Sequence, residues 1–378
     1  MPYFVITQLR AQLKAISDSG FEVYVITSQD ESSLILDNYD FISYQMISIP
    51  RKIEFLKDLV AVFRLFWAFS TQKYQIVHST TPKAGLLCAI AGFCANVPIR
   101  LHTYTGQPWA TATGVKRRLF ILADQIIALL NTQCYADSQS QKSYLLENSI
   151  GSPTGISVIG PGSVAGVDQH RFSLEALSPY KEKIKTSLKI PQEAFVILFV
   201  GRITKDKGIV ELFEAFERLS DVAGAIFLVL VGPIEEDCVE VVQEALSGKC
   251  ATQIRMAGFT DTPEHYMAAA DLLCLPSYRE GFGTVVIESA MLGLPTVASE
   301  IYGLQDSVLD GETGILVPKA NADELFLALK KLFLDSEFRL KLGQQARKRA
   351  QQEFSSETIN QLVINEYQAL CMQQGLLE

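Results

Sequence analysis

The chain has 378 residues, which at roughly 150 residues per domain is enough for two to three domains. Hydrophobic residues make up 48% of it and charged residues 20%, a balance that excludes an intrinsically disordered protein. The formal net charge of -9 argues against general nucleic-acid binding. Residues 1–170 carry 13 basic and 12 acidic side chains, while residues 171–378 carry 20 and 30. This asymmetry indicates two domains with different partners.

Cellular location is indicated by what the sequence contains and lacks. Its seven cysteines form no C-x-x-C pair, and we interpret them as reduced thiols of a cytoplasmic protein. No signal peptide is predicted, because Arg10 and Lys14 interrupt the apolar positions near the start. The uncharged apolar run over residues 84–99 is shorter than the roughly 20 residues that a membrane-spanning helix needs. We expect a cytoplasmic protein, bound at most peripherally to the inner face of the cytoplasmic membrane.

Short β-branched runs alternate with helical patterns along the whole chain, which is typical of parallel sheets flanked by helices. In the first half the predicted helices cover residues 5–17, 53–69, 82–94, 115–128 and 138–148, and the predicted strands cover 22–27, 44–47, 76–78, 99–103, 133–136 and 156–159. In the second half the helices cover 208–218, 235–246, 263–269, 283–292, 323–332, 335–353 and 355–373, and the strands cover 196–200, 226–231, 254–257, 272–275, 296–298 and 314–317.

The first candidate site follows the strand predicted at 196–200. That strand ends in Gly201 and Arg202, and a polar loop with Lys207 leads into the next helix. Backbone N–H groups at a helix start already favour an anion, so two cations beside them predict a diphosphate clamp. The alternative interpretation is a solvated basic loop.

The second candidate site follows the strand predicted at 272–275. Gly281 and Gly283 place backbone amides at the start of a helix, which is a common phosphate cradle. Glu288 falls early on that helix, where a carboxylate could accept two hydrogen bonds from a ribose diol, and Glu280 lies on the loop before it. The alternative for Glu288 is a surface residue stabilised by the helix dipole.

Together these segments resemble a known family. The resemblance rests on Gly201-Arg202-x4-Lys207-Gly208, residues 230–233 and 257–259, Pro276-Ser277-x2-Glu280-Gly281-Phe282-Gly283-x4-Glu288, and residues 311–317. They look like the retaining family 4 glycosyltransferases of the GT-B fold, most specifically in the spacing of Glu280 and Glu288. Residues 77–85 and 102–109 resemble the subgroup that builds bacterial capsule, exopolysaccharide and O-antigen units on a lipid carrier.

The resemblance implies an α/β protein with two doubly wound, Rossmann-like domains that face a cleft. We expect an N-terminal acceptor-binding domain over residues 1–170, a nucleotide-sugar donor domain over 171–354, and a C-terminal helix over 355–378 that crosses back to the first domain. Ligands of such sheets bind beyond the carboxyl ends of the strands.

The resemblance also implies roles for individual residues. Arg202 and Lys207 would hold the donor diphosphate, and Glu288 would bind the ribose. Glu280 would contact the transferred sugar and is not assigned as a nucleophile, and His102 would face the donor sugar as the second catalytic candidate. The remaining donor-binding positions are Gly201, Gly258, Phe259, Phe282, Gly283, Thr284 and Val285. No D-x-D motif or other metal-ligand spacing is present near these loops, so we expect no metal and no cofactor.

Two further residues are candidates for acceptor binding. His78 ends a predicted strand, and Lys83 lies in the first turn of a helix, where the dipole disfavours a cation. This position predicts an anionic neighbour for Lys83, such as the diphosphate of the acceptor. The alternatives are a structural histidine and a snorkelling surface lysine.

Basic and aromatic residues alternate over residues 51–73, and Lys116, Arg117 and Arg118 form a second basic cluster. Such helices suit an anionic bilayer surface, so peripheral membrane contact is expected through residues 51–73 and 116–118. The alternative is an ordinary amphipathic helix packed against the sheet.

The N-terminus departs from the family pattern. Members begin with a strand and a glycine- or serine-rich loop, whereas here residues 4–16 already have a helical pattern. We expect that the first strand and its loop are missing, through a start codon assigned too late or a truncated gene product. Since that strand is central in a doubly wound sheet, its loss would leave two neighbouring strands unpaired and a gap in the core.

The favoured function is a retaining, metal-independent hexosyltransferase that moves a sugar from a nucleotide donor, expected to be UDP-linked, to a saccharide on a lipid diphosphate. The alternatives are a nucleotide-sugar 2-epimerase, which shares the fold, and a truncated homologue that binds nucleotide sugars as a scaffold without catalysis. A NAD-dependent dehydrogenase is disfavoured because no G-x-G-x-x-G follows an early strand.

Overall fold

A computed structural model describes residues 5–29, 36–50 and 53–377. The chain forms two units, one consisting of Met1–Gly166 together with Ser356–Glu378 and the other of Val167–Ser355. Each unit is an α/β structure whose strands all pair in parallel. The predicted α/β class and the two Rossmann-like domains are therefore confirmed.

Unit 1, which we define as Met1–Gly166 with Ser356–Glu378, begins with a π-helical turn at Val5–Leu9. Its strands are β1 (Tyr24–Thr27), β2 (Ser43–Met46), β3 (Ile76–Ser79), β4 (Ile99–Tyr104), β5 (Gln133–Ala136) and β6 (Ile156–Ser157). Its first five helices are α1 (Arg10–Asp18), α2 (Phe55–Gln72), α3 (Pro82–Cys94), α4 (Gly114–Leu130) and α5 (Gln139–Glu147). The last helix of the chain, which we label α14 (Ser356–Gln373), packs against α1.

The parallel strands of unit 1 form two sheets instead of one. One sheet consists of β1 and β2, and the other has the order β3-β4-β5-β6. Within the described ranges, β1 pairs only with β2 and β3 pairs only with β4. In these ranges β1 and β3 therefore each have one edge that is not paired with another strand.

Both faces of these sheets are covered by helices. On one face, α2 and α3 contribute a core that includes Leu65 and Ala91, both 0% exposed. On the other face, Leu101 and Tyr135 of the sheet pack with Cys371 of α14. Because both faces are covered, five of the six residues of β4 are buried, including the polar His102 and Thr103.

Unit 2, which we define as Val167–Ser355, contains one six-stranded sheet. Its strands are β7 (Phe195–Val200), β8 (Ile226–Val231), β9 (Ile254–Gly258), β10 (Leu272–Leu275), β11 (Thr296–Ser299) and β12 (Gly314–Val317). Its helices are α6 (Leu174–Ser187), α7 (Ile209–Val222), α8 (Val239–Ser247), α9 (Pro263–Ala268), α10 (Thr284–Met291), α11 (Leu304–Ser307), α12 (Ala322–Leu334) and α13 (Ser336–Glu353).

The strand order of unit 2 fixes where a ligand can bind. The order is β12-β11-β10-β7-β8-β9, so the chain winds outward from β7 in one direction and from β10 in the other. The direction reverses between these two central strands, and the loops that follow them diverge to leave a crevice. Both loops carry residues that the sequence pattern singled out.

Helix α6 was not predicted from the sequence. It contains Pro179 in its interior, which removes a backbone donor and disfavours a helix locally. Its start is stabilised by Ser173, whose hydroxyl accepts a hydrogen bond from the Ala176 amide. The short α11 was also missed, and the strand predicted at 156–159 is only the two residues of β6.

Candidate functional site

The loops after β7 and β10 lie against each other at the reversal point of the unit 2 sheet. Gly208 closes the first loop with a left-handed φ of +67°. A Cβ atom at this position would lie 2.0 Å from the carbonyl oxygen of Pro276 in the second loop. Only glycine allows this approach, and the Tyr278 amide also donates a hydrogen bond of 2.8 Å to the Asp206 carbonyl. The two loops therefore form one surface.

Lys207 and Glu280 form an ion pair on this surface. Their side chains are 20% and 14% exposed, so the pair is largely shielded from bulk water. The Ser277 hydroxyl donates a second hydrogen bond of 2.9 Å to the same Glu280 oxygen, Oε1. The structure thus brings together two residues predicted for the site, the cation for the diphosphate and the carboxylate for the sugar.

A second ion pair joins the same two loops. The Arg279 guanidinium lies 3.0 Å from a carboxylate oxygen of Asp206. Sequence reasoning assigned no role to this pair or to Ser277, although Ser277 belongs to a segment that carries the family resemblance. The signal available for Asp206 and Arg279 was their position beside the predicted site residues.

Arg202 lies on the same loop as Lys207 and is more open to solvent. Its side chain is 48% exposed, and its guanidinium is 3.2 Å from the Glu235 carboxylate. A pair this exposed contributes little stability, so the guanidinium can exchange its partner at low cost. Gly201 precedes Arg202 at the end of β7, where its amide donates to the Val231 carbonyl at 2.9 Å.

The residues predicted as an amide cradle lie at the start of α10. The helix begins directly after Gly283, and the first amides of a helix, here those of Thr284 and Val285, have no partner within the helix. Phe282 is 2% exposed and its ring packs against Phe354 at 5.2 Å between centroids, which anchors this start. Glu288 lies in the second turn of α10 and is partly buried.

Gly258 and Phe259 lie at the end of β9, which is separated from β10 by β7 and β8. The Gly258 carbonyl accepts a hydrogen bond of 2.8 Å from Gly232, and the Phe259 side chain is 59% exposed. An exposed aromatic ring is available to stack on a planar base.

In unit 1, His102 is almost completely buried, at 1% exposed. Its Nδ1 is 2.9 Å from the Ser79 hydroxyl, and helix α3 packs so closely that a Cβ on Gly85 would lie 2.4 Å from the ring. Burial, together with the neighbouring His78, lowers the pKa of His102 to about 3. The ring is therefore neutral at physiological pH, and it lines neither of two cavities of this unit, of about 100 Å³ and 250 Å³.

His78 lies one strand away from His102 and is held by two hydrogen bonds. Its Nδ1 is 2.6 Å from the Tyr367 hydroxyl and its Nε2 is 2.8 Å from the Thr103 hydroxyl. Burial lowers its pKa to about 4, so it too is neutral at physiological pH. Unlike His102, it lines open cavities in unit 1.

Lys83 has the anionic neighbour that its position at the start of α3 predicted. This neighbour is the carboxylate of Asp58 in α2, 2.6 Å from the ammonium nitrogen. The same ammonium donates a hydrogen bond of 2.6 Å to the Pro50 carbonyl. Lys83 is therefore half-buried and pairs with an internal carboxylate.

Helices α2 and α4 present large apolar side chains to solvent on unit 1. On α2, Phe55, Leu59, Phe63 and Trp67 are spaced four residues apart and are 59% to 79% exposed. On α4, the exposed apolar side chains are Val115, Leu119, Leu122 and Leu129. Arg51 and Lys52 of the predicted basic stretch lie outside the described residues. We call these two apolar stripes the exposed face of unit 1.

Two further classes of site were searched for in the described parts of the chain. None of the helices there is long and apolar enough to cross a bilayer. None of the histidine, cysteine, aspartate and glutamate side chains there form a group of three or more that could hold a metal ion.

Comparison with known proteins identifies the family. The model of the family described as glycosyl transferases group 1 matches residues 180–349, which span most of unit 2. The chain is also 30% identical over 351 residues to the capsular polysaccharide biosynthesis glycosyltransferase CapM of Staphylococcus aureus, covering 93% of this chain and 90% of CapM.

The chain belongs to the group 1 glycosyltransferases. A further relative, the UDP-Gal:alpha-D-GlcNAc-diphosphoundecaprenol alpha-1,3-galactosyltransferase of Escherichia coli, is 26% identical over 334 residues, covering 85% of this chain and 82% of its own. The predicted resemblance to glycosyltransferases of cell-surface polysaccharide biosynthesis is confirmed.

Solved structures confirm the GT-B fold of this group 1 glycosyltransferase. HepE from Anabaena, in complex with UDP and glucose, superposes with a TM-score of 0.78 at 20% identity over 95% of both chains. Sucrose-phosphate synthase from Thermosynechococcus elongatus gives 0.78 at 22% identity, covering 97% of this chain and 93% of its own.

Proposed function

We propose that this glycosyltransferase is retaining and metal-independent, and that it transfers a sugar from a UDP-sugar to a saccharide carried on a lipid diphosphate. The observation that supports binding of the UDP-sugar is the surface formed by the loops after β7 and β10, where the winding direction of the unit 2 sheet reverses. There, Lys207, Arg202 and the first amides of α10 lie on the two loops that a diphosphate would contact.

The donor diphosphate would displace the internal carboxylate partners of the two cations. Arg202 would leave Glu235, and Lys207 would turn from Glu280 toward the phosphates. The carboxylate of Glu280 then becomes available to accept hydrogen bonds from the sugar hydroxyls, while Ser277 keeps it oriented. Glu288 would bind the ribose diol and Phe259 would stack on the base.

The reaction needs stabilisation of negative charge more than it needs a nucleophile. The acceptor hydroxyl attacks the anomeric carbon, the bond from that carbon to the phosphate oxygen breaks, and the hydroxyl proton passes to the departing phosphate. Preplaced cations and helix amides stabilise the growing charge on UDP because they need no rearrangement when it develops. Attack from the face that UDP leaves would retain the configuration, and no metal is required.

His102 is proposed to have an indirect role as a positioning residue, because its ring is buried, neutral and fixed between Ser79 and α3. A neutral imidazole held this way can position the strand end that faces the donor sugar. Acceptor binding is proposed for His78, which lines two cavities of unit 1. It is also proposed for Lys83, whose ammonium would exchange Asp58 for the acceptor diphosphate.

The exposed face of unit 1 is proposed to contact the membrane in which the acceptor is anchored. Large apolar side chains facing water are costly, and a bilayer surface would cover them. Anionic vesicles containing phosphatidylglycerol test this by co-sedimentation. Wild-type protein should pellet with them at low salt, and a Phe63→Ser, Trp67→Ser variant should stay in the supernatant. Equal pelleting of both proteins would contradict the proposal.

A panel of UDP-sugars tests the function. The full chain is incubated with each donor, with and without an undecaprenyl-diphosphate-linked saccharide, and UDP release is measured. Release that depends on the acceptor supports transfer. Formation of a C2 epimer of the donor sugar would support the epimerase alternative, and donor binding with no turnover would support the scaffold alternative.

A further inference from the structure

The interruption between the two sheets of unit 1 leaves a gap with defined walls. One wall is β1 and the other is β3, and both strands line a cavity of about 250 Å³. The two walls begin side by side, since the rings of Tyr24 at the start of β1 and Tyr74 just before β3 lie 5.2 Å apart between centroids. A second cavity of about 100 Å³ shares His78 and Thr80 with the first.

The backbone of both walls is directed into this gap. The amides of Ser43 and Ile47 donate to the carbonyls of Val23 and Thr27, so alternate residues of β1 face β2 and the intervening Tyr24 and Ile26 face the gap.

The same alternation applies to β3. The Ile99 amide donates to the Gln75 carbonyl, so Ile76 and His78 present their backbone groups to the gap. Such a row of amides and carbonyls on each side is the template for a paired strand.

The side chains around the gap specify what can fill it. Toward one face the lining is apolar, with Leu65 and Phe69 of α2, and toward the other it includes Leu13 of α1 and Val363 of α14. A strand whose side chains alternate between these two faces must therefore be apolar in both directions.

One buried polar atom at the carboxyl end of β1 also lacks a partner. It is Thr27 Oγ1, which belongs to a residue that is 4% exposed and lines the larger cavity. Because buried polar atoms are nearly always hydrogen-bonded, it points to an occupant with a polar group at its carboxyl end.

We propose that the gap between β1 and β3 is an acceptor site for one extended peptide strand, which pairs in parallel with both. The strand is apolar on both faces over about four residues and ends in hydroxyl-bearing residues. Pairing with two edges at once joins the two sheets of unit 1 into a single one.

A synthetic peptide tests the proposal with the full chain. The probe is the acetylated and amidated sequence Lys-Ile-Leu-Val-Val-Thr-Ser-Lys, and the control replaces both valines with proline, which cannot donate a hydrogen bond. At a hundredfold excess over its Kd, the probe should raise the melting temperature by about 5–10 °C. Hydrogen exchange should slow over residues 22–28 and 74–80, and the control peptide should cause neither effect.

A pair of variants tests whether the peptide pairs with the free edge of β1. Ile26→Pro removes the amide that faces the gap and leaves the β1–β2 ladder intact, whereas Ile26→Val keeps that amide. The probe should stabilise the valine variant and not the proline variant. No stabilisation of the wild-type chain up to the solubility limit of the probe, or equal stabilisation by the proline peptide, would overturn the proposal. If the proline variant fails to fold, the two peptides on the wild-type chain still decide.

Discussion

The close approach of the two donor loops can be tested at Gly208. A Cβ atom there would lie 2.0 Å from the Pro276 carbonyl oxygen, whereas real Cβ contacts stay beyond 3.0 Å. Gly208→Ala must therefore push the loops apart by at least about 1 Å, and a displacement of that size can cost about 100-fold in rate. We expect kcat/KM for the transfer reaction to fall by that factor, equivalent to about 2.7 kcal/mol. UDP affinity should fall as well, because Lys207 moves with the loop.

Gly311 provides a matched control for the strain of the backbone. Its φ of +73° is close to the +67° of Gly208, but a Cβ atom there would have nothing within 4 Å. Both alanine variants should lose stability by roughly 1–2 kcal/mol through the left-handed conformation alone. Only Gly208→Ala should lose transfer activity, measured as acceptor-dependent UDP release. Activity within threefold of wild type in Gly208→Ala, or an equal loss in Gly311→Ala, would refute the reasoning.

Further predictions concern donor binding, acid stability and a buried carboxylate. Lys207→Ala and Glu288→Ala should each weaken UDP binding tenfold or more in calorimetric titration, and wild-type affinity in both would contradict the site assignment. The pKa of His78 is about 4 in the folded protein against 6.5 unfolded, so its contribution to stability is full above pH 6.5 and declines as the pH falls to about 4. Between these pH values the free energy of unfolding should fall less in His78→Asn than in wild type, by up to about 3 kcal/mol, when both are measured by urea unfolding. The same fall in both proteins would show that His78 does not contribute to acid sensitivity. Trp109→Phe removes the indole donor that lies 2.7 Å from Asp124 Oδ2, and it should lower the free energy of unfolding by about 1–3 kcal/mol at pH 7. If the unpaired carboxylate causes this loss, the double variant with Asp124→Asn should regain part of it.

The sequence predicts the central strands of unit 2 well because β7, β8 and β10 are compact apolar runs. The strand β8 (Ile226–Val231) is buried at every position, and the pattern shows both its ends. Helix α6 was not predicted for the opposite reason. Pro179 argues against a helix there, and Ser173 and tertiary packing nevertheless stabilise one. Local propensity is weak evidence where packing decides.

The sequence predicts which residues belong to the candidate site, but it does not predict which of them contact each other. The spacing of Lys207, Glu280 and Glu288 singles out the two segments that the structure brings together after β7 and β10. It cannot show that Lys207 and Glu280 pair with each other, because that contact depends on how closely the loops approach at Gly208. Similarly, the dipole argument finds that Lys83 needs an anion, and only the fold reveals that this anion is Asp58.

The most direct test of the proposed function follows the sugar itself. The full chain is incubated with a radiolabelled UDP-sugar and an undecaprenyl-diphosphate-linked saccharide, and the label is counted after extraction into butanol. We predict that the label enters the lipid phase with wild-type protein and falls to background with Lys207→Ala. Label that stays in the aqueous phase with every donor in the panel, or that reaches the lipid equally with Lys207→Ala, would contradict the account.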